Sequence, residues 1–385
     1  MNKKCILIFA DYYVPGYMAG GPIRSLQSIC DAIGHEFDMY LVTRDRDLKS
    51  TEQYSDIVMN HWKKVGAINV MYVNATQFSY FAVRRLLDEL KPDVVHLNSL
   101  MSVRFSFVPL MAIRFISCFK GKVYLSPRGE LSKDALKLKS LKKKIYLKVF
   151  QSLGFERFID WIASSDGENN DIVDIFNAPE LAVYRIDNLP NFSQWKDGMA
   201  REKAKNKNEL NMVFFSRIAR MKNLDFLLDI LKTVDFRVRI DIYGPQEDLS
   251  YLNMCKKKAA ILPENITARF LGPLHPEKAY DKLKEYDLFV LPTLGENFGQ
   301  AIWEALASSV PVLISDRTPW KMLKEKRVGW DVSLENPTEI IHILNQVYSM
   351  AENEHQLMRN NSRKYALDFV ANSSSLHRLK SLYLR

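Results

Sequence analysis

Two carboxylates, Glu296 and Glu304, bracket the stretch Glu296-Asn297-Phe298-Gly299-Gln300-Ala301-Ile302-Trp303-Glu304, with seven residues between them. The preceding run Asp287-Leu288-Phe289-Val290-Leu291-Pro292-Thr293 reads as a strand, and a helical pattern follows Gly299. Glu296 is therefore expected to sit free at the carboxyl edge of a sheet, where open α/β sheets bind ligands. Glu304 falls about one turn into the helix. The amides of Gly299, Gln300 and Ala301 are donors that a helix start leaves unpaired. Carboxylates accept hydrogen bonds from sugar hydroxyls, and a helix start favours phosphate through its partial positive charge. This chemistry suits a polyhydroxylated, phosphorylated ligand. Standing alone, the same pair reads equally well as two solvated carboxylates flanking a helix, so other residues must decide.

Gly20-Gly21-Pro22 lies between a first strand and a helix whose apolar residues Ile23, Leu26, Ile29, Cys30 and Ile33 keep a helical period. Paired glycines there let the backbone approach a phosphate or sugar closely, although any tight strand-to-helix turn favours glycine. His96 and Asn98 end the strand Asp93–Leu97. A lone histidine in an apolar strand is either a hydrogen-bonded core residue or a contact in a cleft. Asp45-Arg46-Asp47 has the spacing of a divalent-ion site, but Arg44 and Arg46 flank it and repel a cation. The seven histidines show no ligand spacing, so no metal is expected.

The elements that must position these groups alternate strand and helix, which predicts parallel sheets built from βαβ units. Strands are expected at Cys5–Ala10, Phe37–Thr43, Ile68–Val73, Asp93–Leu97, Val123–Ser126 and Trp161–Ser164. A second series follows at Met212–Ser216, Val238–Tyr243, Ala268–Leu271, Leu288–Leu291 and Val310–Ile314. Between them the turn Asn188-Leu189-Pro190-Asn191 and the polar stretch 193–209 mark a boundary. At 385 residues, 47% of them hydrophobic, the chain suits two globular domains. They are expected at 1–190 and 191–367, and the stretch from about Asn353 to Arg385 reads as helix throughout. No apolar run reaches the roughly 18 to 20 residues that a membrane helix needs. The four cysteines form no Cys-x-x-Cys pair, which fits a reducing cytoplasm. Lys133–Lys148 holds seven lysines and one aspartate, most of the chain's net charge of +9. Its Leu138, Leu141, Ile145 and Val149 recur at helical spacing, which describes a basic amphipathic helix: either a solvated face or a surface drawn to anionic lipid headgroups.

The segment Glu296–Glu304, taken with Gly20-Gly21 and with Arg217 and Lys222 in Ser216-Arg217-Ile218-Ala219-Arg220-Met221-Lys222, resembles the donor-site signature of GT-B glycosyltransferases. The closest resemblance is to the retaining family 4, the group 1 enzymes of bacterial polysaccharide assembly. It implies an α/β GT-B fold, two Rossmann-like doubly wound domains facing across a cleft. The first is acceptor-side, with a C-terminal helix at about 368–385 packing back on it, and the second binds the nucleotide-sugar donor. It also implies that Glu296 lies near the donor sugar, that Glu304 meets the ribose hydroxyls, and that Arg217 and Lys222 grip the diphosphate. Asn297, Phe298, Gly299 and Gln300 join the donor site, and Gly20-Gly21 lies over the diphosphate. The family's His-x-His becomes His96-x-Asn98 here, and the resemblance makes His96 a catalytic candidate together with Glu296, Arg217 and Lys222. Ser126-Pro127-Arg128-Gly129-Glu130 resembles the acceptor-side loop, where Arg128 would meet a phosphate or hydroxyl.

The activity implied is a metal-independent, cofactor-free hexosyltransferase using a nucleotide-diphosphate sugar and a saccharide or polyprenyl-diphosphate-linked acceptor. It would be cytoplasmic, with a peripheral place on the inner membrane as the option opened by the lysines. An epimerase of the same architecture and a non-catalytic sugar-nucleotide binder are the alternatives. A nucleic-acid partner is not expected, because the basic-aromatic surface it needs is absent.

Overall fold

A computed structural model describes residues 3–115, 119–132, 135–136, 140–177, 182–190 and 208–385. The chain forms two compact units, residues 1–189 together with 374–385, and residues 190–373. Both are α/β, built on parallel sheets, as the alternating pattern predicts.

In the first unit β1 (Cys5–Ala10) is buried on both faces. Ile6 and Ile8 join one apolar cluster with Leu26 and Tyr383, while Leu7 and Phe9 join another with Leu97 and Trp161. Alternate side chains of a strand point to opposite faces, so an unbroken apolar run belongs in a sheet covered on both sides. From one edge, the sheet runs β3 (Trp62–Val65), β4 (Ile68–Val73), β2 (Asp38–Arg44), β1, β5 (Val94–Asn98), β6 (Lys122–Ser126), β7 (Asp160–Ala163) and β8 (Val183–Arg185). Only the β3–β4 pair is antiparallel among these. The strand order reverses at β1, and the pairing sets Ala10, Asn98 and Ser126 side by side at the carboxyl edge.

The second unit orders its strands β11 (Ile266–Gly272), β10 (Val238–Tyr243), β9 (Leu210–Phe215), β12 (Leu288–Leu291), β13 (Val312–Ser315) and β14 (Gly329–Val332), with every pair parallel. The succession reverses between β9 and β12. Such a switch point opens a crevice beyond the carboxyl ends of the two strands, where doubly wound sheets bind ligands. The loops after β9 and β12 carry Arg217, Lys222 and Glu296.

Several expectations need correction. The edge strand β3 and the short strands β8 and β14 carry no clear apolar pattern and were not anticipated. β3 is an edge ribbon whose Lys63 and Lys64 face solvent, which blunts the edge at the expense of the alternation. The expected helix from Asn353 onward is interrupted: one helix spans Glu352–Ala371, and a second, Ser375–Leu384, belongs to the first unit. In the basic segment a helix spans Ser140–Ser152, but its core face is Leu147 and Phe150, and the expected apolar row Leu141, Ile145 and Val149 faces solvent. Lys133 and Leu138 lie outside the described residues.

Candidate active site

In the second unit the two loops at the switch point are tied together before any ligand is considered. Leu294 N donates to Met221 O at 2.8 Å, and the buried Thr293 Oγ1 donates to the same carbonyl at 3.0 Å. This fixes the short 3₁₀ turn Arg220–Lys222 against the Glu296 loop. Lys222, 7% exposed, places its Nζ 2.5 Å from Glu296 Oε1. Glu296 was expected free; the structure corrects this, because a carboxylate lowered into the crevice is held by a lysine lowered beside it. Arg217 pairs instead with Glu247 at 2.6 Å, in a half-exposed position. Gly244, at the end of β10, makes this approach possible: it lies so close to the Ser216 backbone that a Cβ would collide with it. Arg220 is the surface residue of the turn, 3.6 Å from Asp248.

Glu304 lies in the helix Gln300–Ala307 and is almost fully buried, with Gln300 Nε2 3.4 Å from its Oε1. Gly299 caps the helix start with φ of 78°, a left-handed conformation that side chains disfavour. Phe298 is held from behind, since Trp320 Nε1 donates to its carbonyl at 2.5 Å and the two rings meet edge to face. The Nδ2 of Asn297 is buried with no protein acceptor. A buried amide donor without a partner carries a desolvation penalty that a ligand acceptor would relieve. The structure thus brings Lys222, Glu296, Asn297, Phe298, Gly299, Gln300 and Glu304 to one strand edge, with Arg217 on the adjoining loop.

In the first unit Arg128 has a left-handed backbone, φ 56°, on a loop staked by two carboxylates. Glu130 accepts from Leu100 N at 2.6 Å, Met101 N at 2.8 Å and Ser99 Oγ at 2.8 Å. Glu168 accepts from Gly129 N and from Ser164 N. Burial raises the Glu130 carboxyl pKa, and these donors oppose the rise. Arg128 Nε donates to Asn98 Oδ1 at 2.5 Å, and Nη1 donates to Asn188 Oδ1 and, at 3.4 Å, to Ser25 Oγ. All three acceptors are neutral, and burial lowers the guanidinium's pKa. Sequence reasoning found Asn98 and Arg128 but missed Ser25 and Asn188. Asn188 was visible only as part of a turn.

His96 fits the reading as a hydrogen-bonded core residue. Its Nδ1 lies 2.7 Å from Tyr383 Oη and its Nε2 2.9 Å from Ser126 Oγ, so both ring nitrogens are occupied within the protein. Burial, aided by Arg128, pulls its pKa down to about 3 and keeps the ring neutral. These contacts give His96 the surroundings of a positioning residue in the core. Gly20, with φ of 72°, and Gly21 open the helix Gly21–Ile33 at the same sheet edge, beyond β1. The carboxylates of the Asp-x-Asp motif are both occupied: Asp45 by Arg46 and Gln53, and Asp47 by the amides of Tyr17 and Met18. Among the described residues no helix is long and apolar enough to cross a membrane.

The family Glycosyl transferases group 1 matches residues 196–365. A Klebsiella pneumoniae sequence described as an uncharacterized 41.2 kDa protein in cps region is 25% identical over 274 residues, 69% of this chain and 72% of that one. Among solved structures, Anabaena HepE in complex with UDP and glucose superposes with a TM-score of 0.70 at 15% identity, covering 100% of this chain and 99% of that one. Sucrose-phosphate synthase of Thermosynechococcus elongatus gives a TM-score of 0.74 at 13% identity, over 99% and 98%. Both likenesses speak for the fold, and the family match falls on the unit holding Lys222, Glu296 and Glu304. The chain carries a group 1 glycosyltransferase domain on a GT-B fold and is a glycosyltransferase.

Proposed function

We propose that this enzyme transfers a hexosyl group from a nucleotide-diphosphate sugar to a saccharide or lipid-linked saccharide, with retention of anomeric configuration, in the assembly of a bacterial capsular or envelope polysaccharide. The observation that carries the reading is the Lys222–Glu296 pair at the switch point of the second unit, on the loop that leads into the helix holding the buried Glu304. In this assignment the second unit is the donor domain and the first is the acceptor domain. Support for a nucleotide-sugar donor comes from the HepE neighbour, whose structure holds UDP and glucose. The cps-region setting of the Klebsiella relative fits a role in polysaccharide synthesis.

The chemistry follows from where charge develops. The bond between the anomeric carbon and the phosphate oxygen breaks, so negative charge grows on the leaving diphosphate. Lys222 and Arg217 supply cations for that charge, and the amides of Gly299, Gln300 and Ala301 add the positive end of a helix. Glu296 accepts from sugar hydroxyls while it steadies Lys222, and Asn297 Nδ2 finds its missing acceptor on the ligand. Glu304 accepts from the ribose. The acceptor hydroxyl forms the new bond on the face the phosphate leaves, and its proton passes to the leaving phosphate oxygen, so no separate base is required. Since side chains and helix ends neutralise the diphosphate, the reaction proceeds without a metal ion. Arg128, a cation whose side chain is hydrogen-bonded to the neutral Asn98, Asn188 and Ser25, meets an anionic or hydroxyl-rich acceptor. The lysines of 133–148 draw the enzyme to the cytoplasmic face of an anionic membrane, where a lipid-linked acceptor resides.

Nucleotide sugars screened by thermal shift test the donor, because a ligand at about 100 times its Kd adds roughly 2.7 kcal/mol to folding. Transfer assays then decide the activity. Altered sugar without an acceptor would show an epimerase, and stabilisation without turnover would show a binder. In the product, NMR reads the anomeric configuration, and inversion would overturn the retaining assignment.

A further inference from the structure

The helix Ser140–Ser152 has two apolar faces rather than one. Leu147 and Phe150 are buried, and Tyr146 packs beside them with its hydroxyl donating to Leu100 O at 2.6 Å. On the opposite side Leu141 is 71% exposed, Ile145 55% and Val149 41%. Residues four apart advance about 400°, so these three form a slowly drifting row on one outer face. Around the same helix Lys144 and Lys148 border the row on one side and Lys142 on the other, all exposed. The helix holds no acidic residue. The pattern continues beyond its end. The buried Phe155 ring lies 5.3 Å from Phe150 and 6.4 Å from the half-exposed Phe115. Arg114 sits 5.7 Å from the Phe115 ring and 5.8 Å from that of the exposed Phe158.

An exposed aliphatic row is unfavourable in water, and lysines on both borders set the chemistry of whatever covers it. A protein partner would need a groove that is apolar at its floor and acidic along both walls. A bilayer with anionic headgroups supplies both at once: aliphatic side chains enter the headgroup boundary while lysine stems extend along it and their ammonium groups reach the phosphates. We propose that this face is a lipid-inserting edge, in which Leu141, Ile145 and Val149 penetrate an anionic bilayer and Lys142, Lys144 and Lys148 hold its phosphates. The inference deepens the membrane part of the reading above by replacing purely electrostatic attraction with insertion, and the two differ in their response to salt. Screening weakens the lysine contribution and leaves the buried aliphatic area unaffected.

The test uses the full chain with sedimented vesicles of phosphatidylglycerol and phosphatidylcholine, at low and high salt. The expected result is binding that high salt weakens without abolishing. A Leu141→Ser/Ile145→Ser variant should lose at least about tenfold in partition at both salt levels. Its melting temperature should not change, since the two side chains are exposed. A Lys142→Gln/Lys144→Gln/Lys148→Gln variant should lose chiefly the salt-sensitive part. Absence of parent binding at low salt, or equal binding by the serine variant, overturns the proposal. So does a parent dimer in sedimentation velocity that the serine variant abolishes, for then a second copy covers the row. Melting shifts with nucleotide sugar, recorded on the same samples without vesicles, report on the donor site alone. Failure of the lipid edge is thus separable from failure of the glycosyltransferase reading.

Discussion

Lys222 and Arg217 carry the same charge on the same loop, yet their surroundings give them different duties. Lys222 is buried against Glu296, so Lys222→Ala leaves a carboxylate without its partner in a crevice and should cost roughly 3 kcal/mol of folding stability. The Arg217–Glu247 pair is half exposed, and Arg217→Ala should cost less than about 1 kcal/mol. Both variants should lower kcat by more than they raise KM, because the diphosphate gains charge in the transition state. Urea unfolding and steady-state kinetics separate the two effects, and a pure KM change in either variant would mean ground-state binding only. His96 makes a different prediction. The folded protein keeps its ring neutral down to about pH 3, whereas the unfolded chain takes up a proton below its ordinary value of 6.5. In that window the unfolded state binds the extra proton, so stability is complete above pH 6.5 and falls as the pH drops, by about 1.4 kcal/mol per unit. His96→Gln keeps a side-chain donor and acceptor but cannot titrate. Its unfolding free energy should fall less steeply with acid than the parent's, and parallel curves would refute the assignment.

At the scale of elements, Gly299 is the hinge pin between loop and helix. Its φ of 78° is left-handed, and an added Cβ would lie 2.7 Å from Ile302 Cδ1 and 3.3 Å from Trp320 Nε1. Gly299→Ala should therefore cost about 1 to 3 kcal/mol and displace Glu304 from the ligand. Chemical denaturation and nucleotide titration check both, and unchanged values would mean that the turn relaxes freely. That glycine, the strand before it and the carboxylates on either side were legible because the run Leu288–Leu291 is apolar, short and punctuated. The pairing of Lys222 with Glu296 was not, since its partners are 74 residues apart and only the sheet order makes them neighbours. The Ser25–Asn188–Arg128 contacts were hidden for the same reason. β3 and β14 were missed because polar residues break their apolar runs, Asp331 in β14 and the outward-facing Lys63 and Lys64 in β3. The basic helix misled in the opposite way: a helical period identifies a row of aliphatic residues but not which row the core takes, and Phe150 outweighed Leu141.

For the whole molecule, the proposed independence from a metal ion is an expectation that chelation checks. Transfer should continue at the parent rate in excess EDTA, because the proposed diphosphate site is made of Lys222, Arg217 and helix amides. Loss of activity that manganese restores would require a cation the proposal does not include. The two units also differ in how the chain composes them. The second is one continuous stretch, 190–373, whereas the first draws on 1–189 and on 374–385. Leu379, Leu382 and Tyr383 lie in the first unit's core, and Tyr383 is the partner of His96. The consequence concerns synthesis on the ribosome. The unit begun first is completed last, since its core keeps an open slot until residue 383 has been made, by which time every residue of the other unit is present. A nascent chain halted after residue 373 should hold a protease-resistant second unit beside a first unit that is still digested.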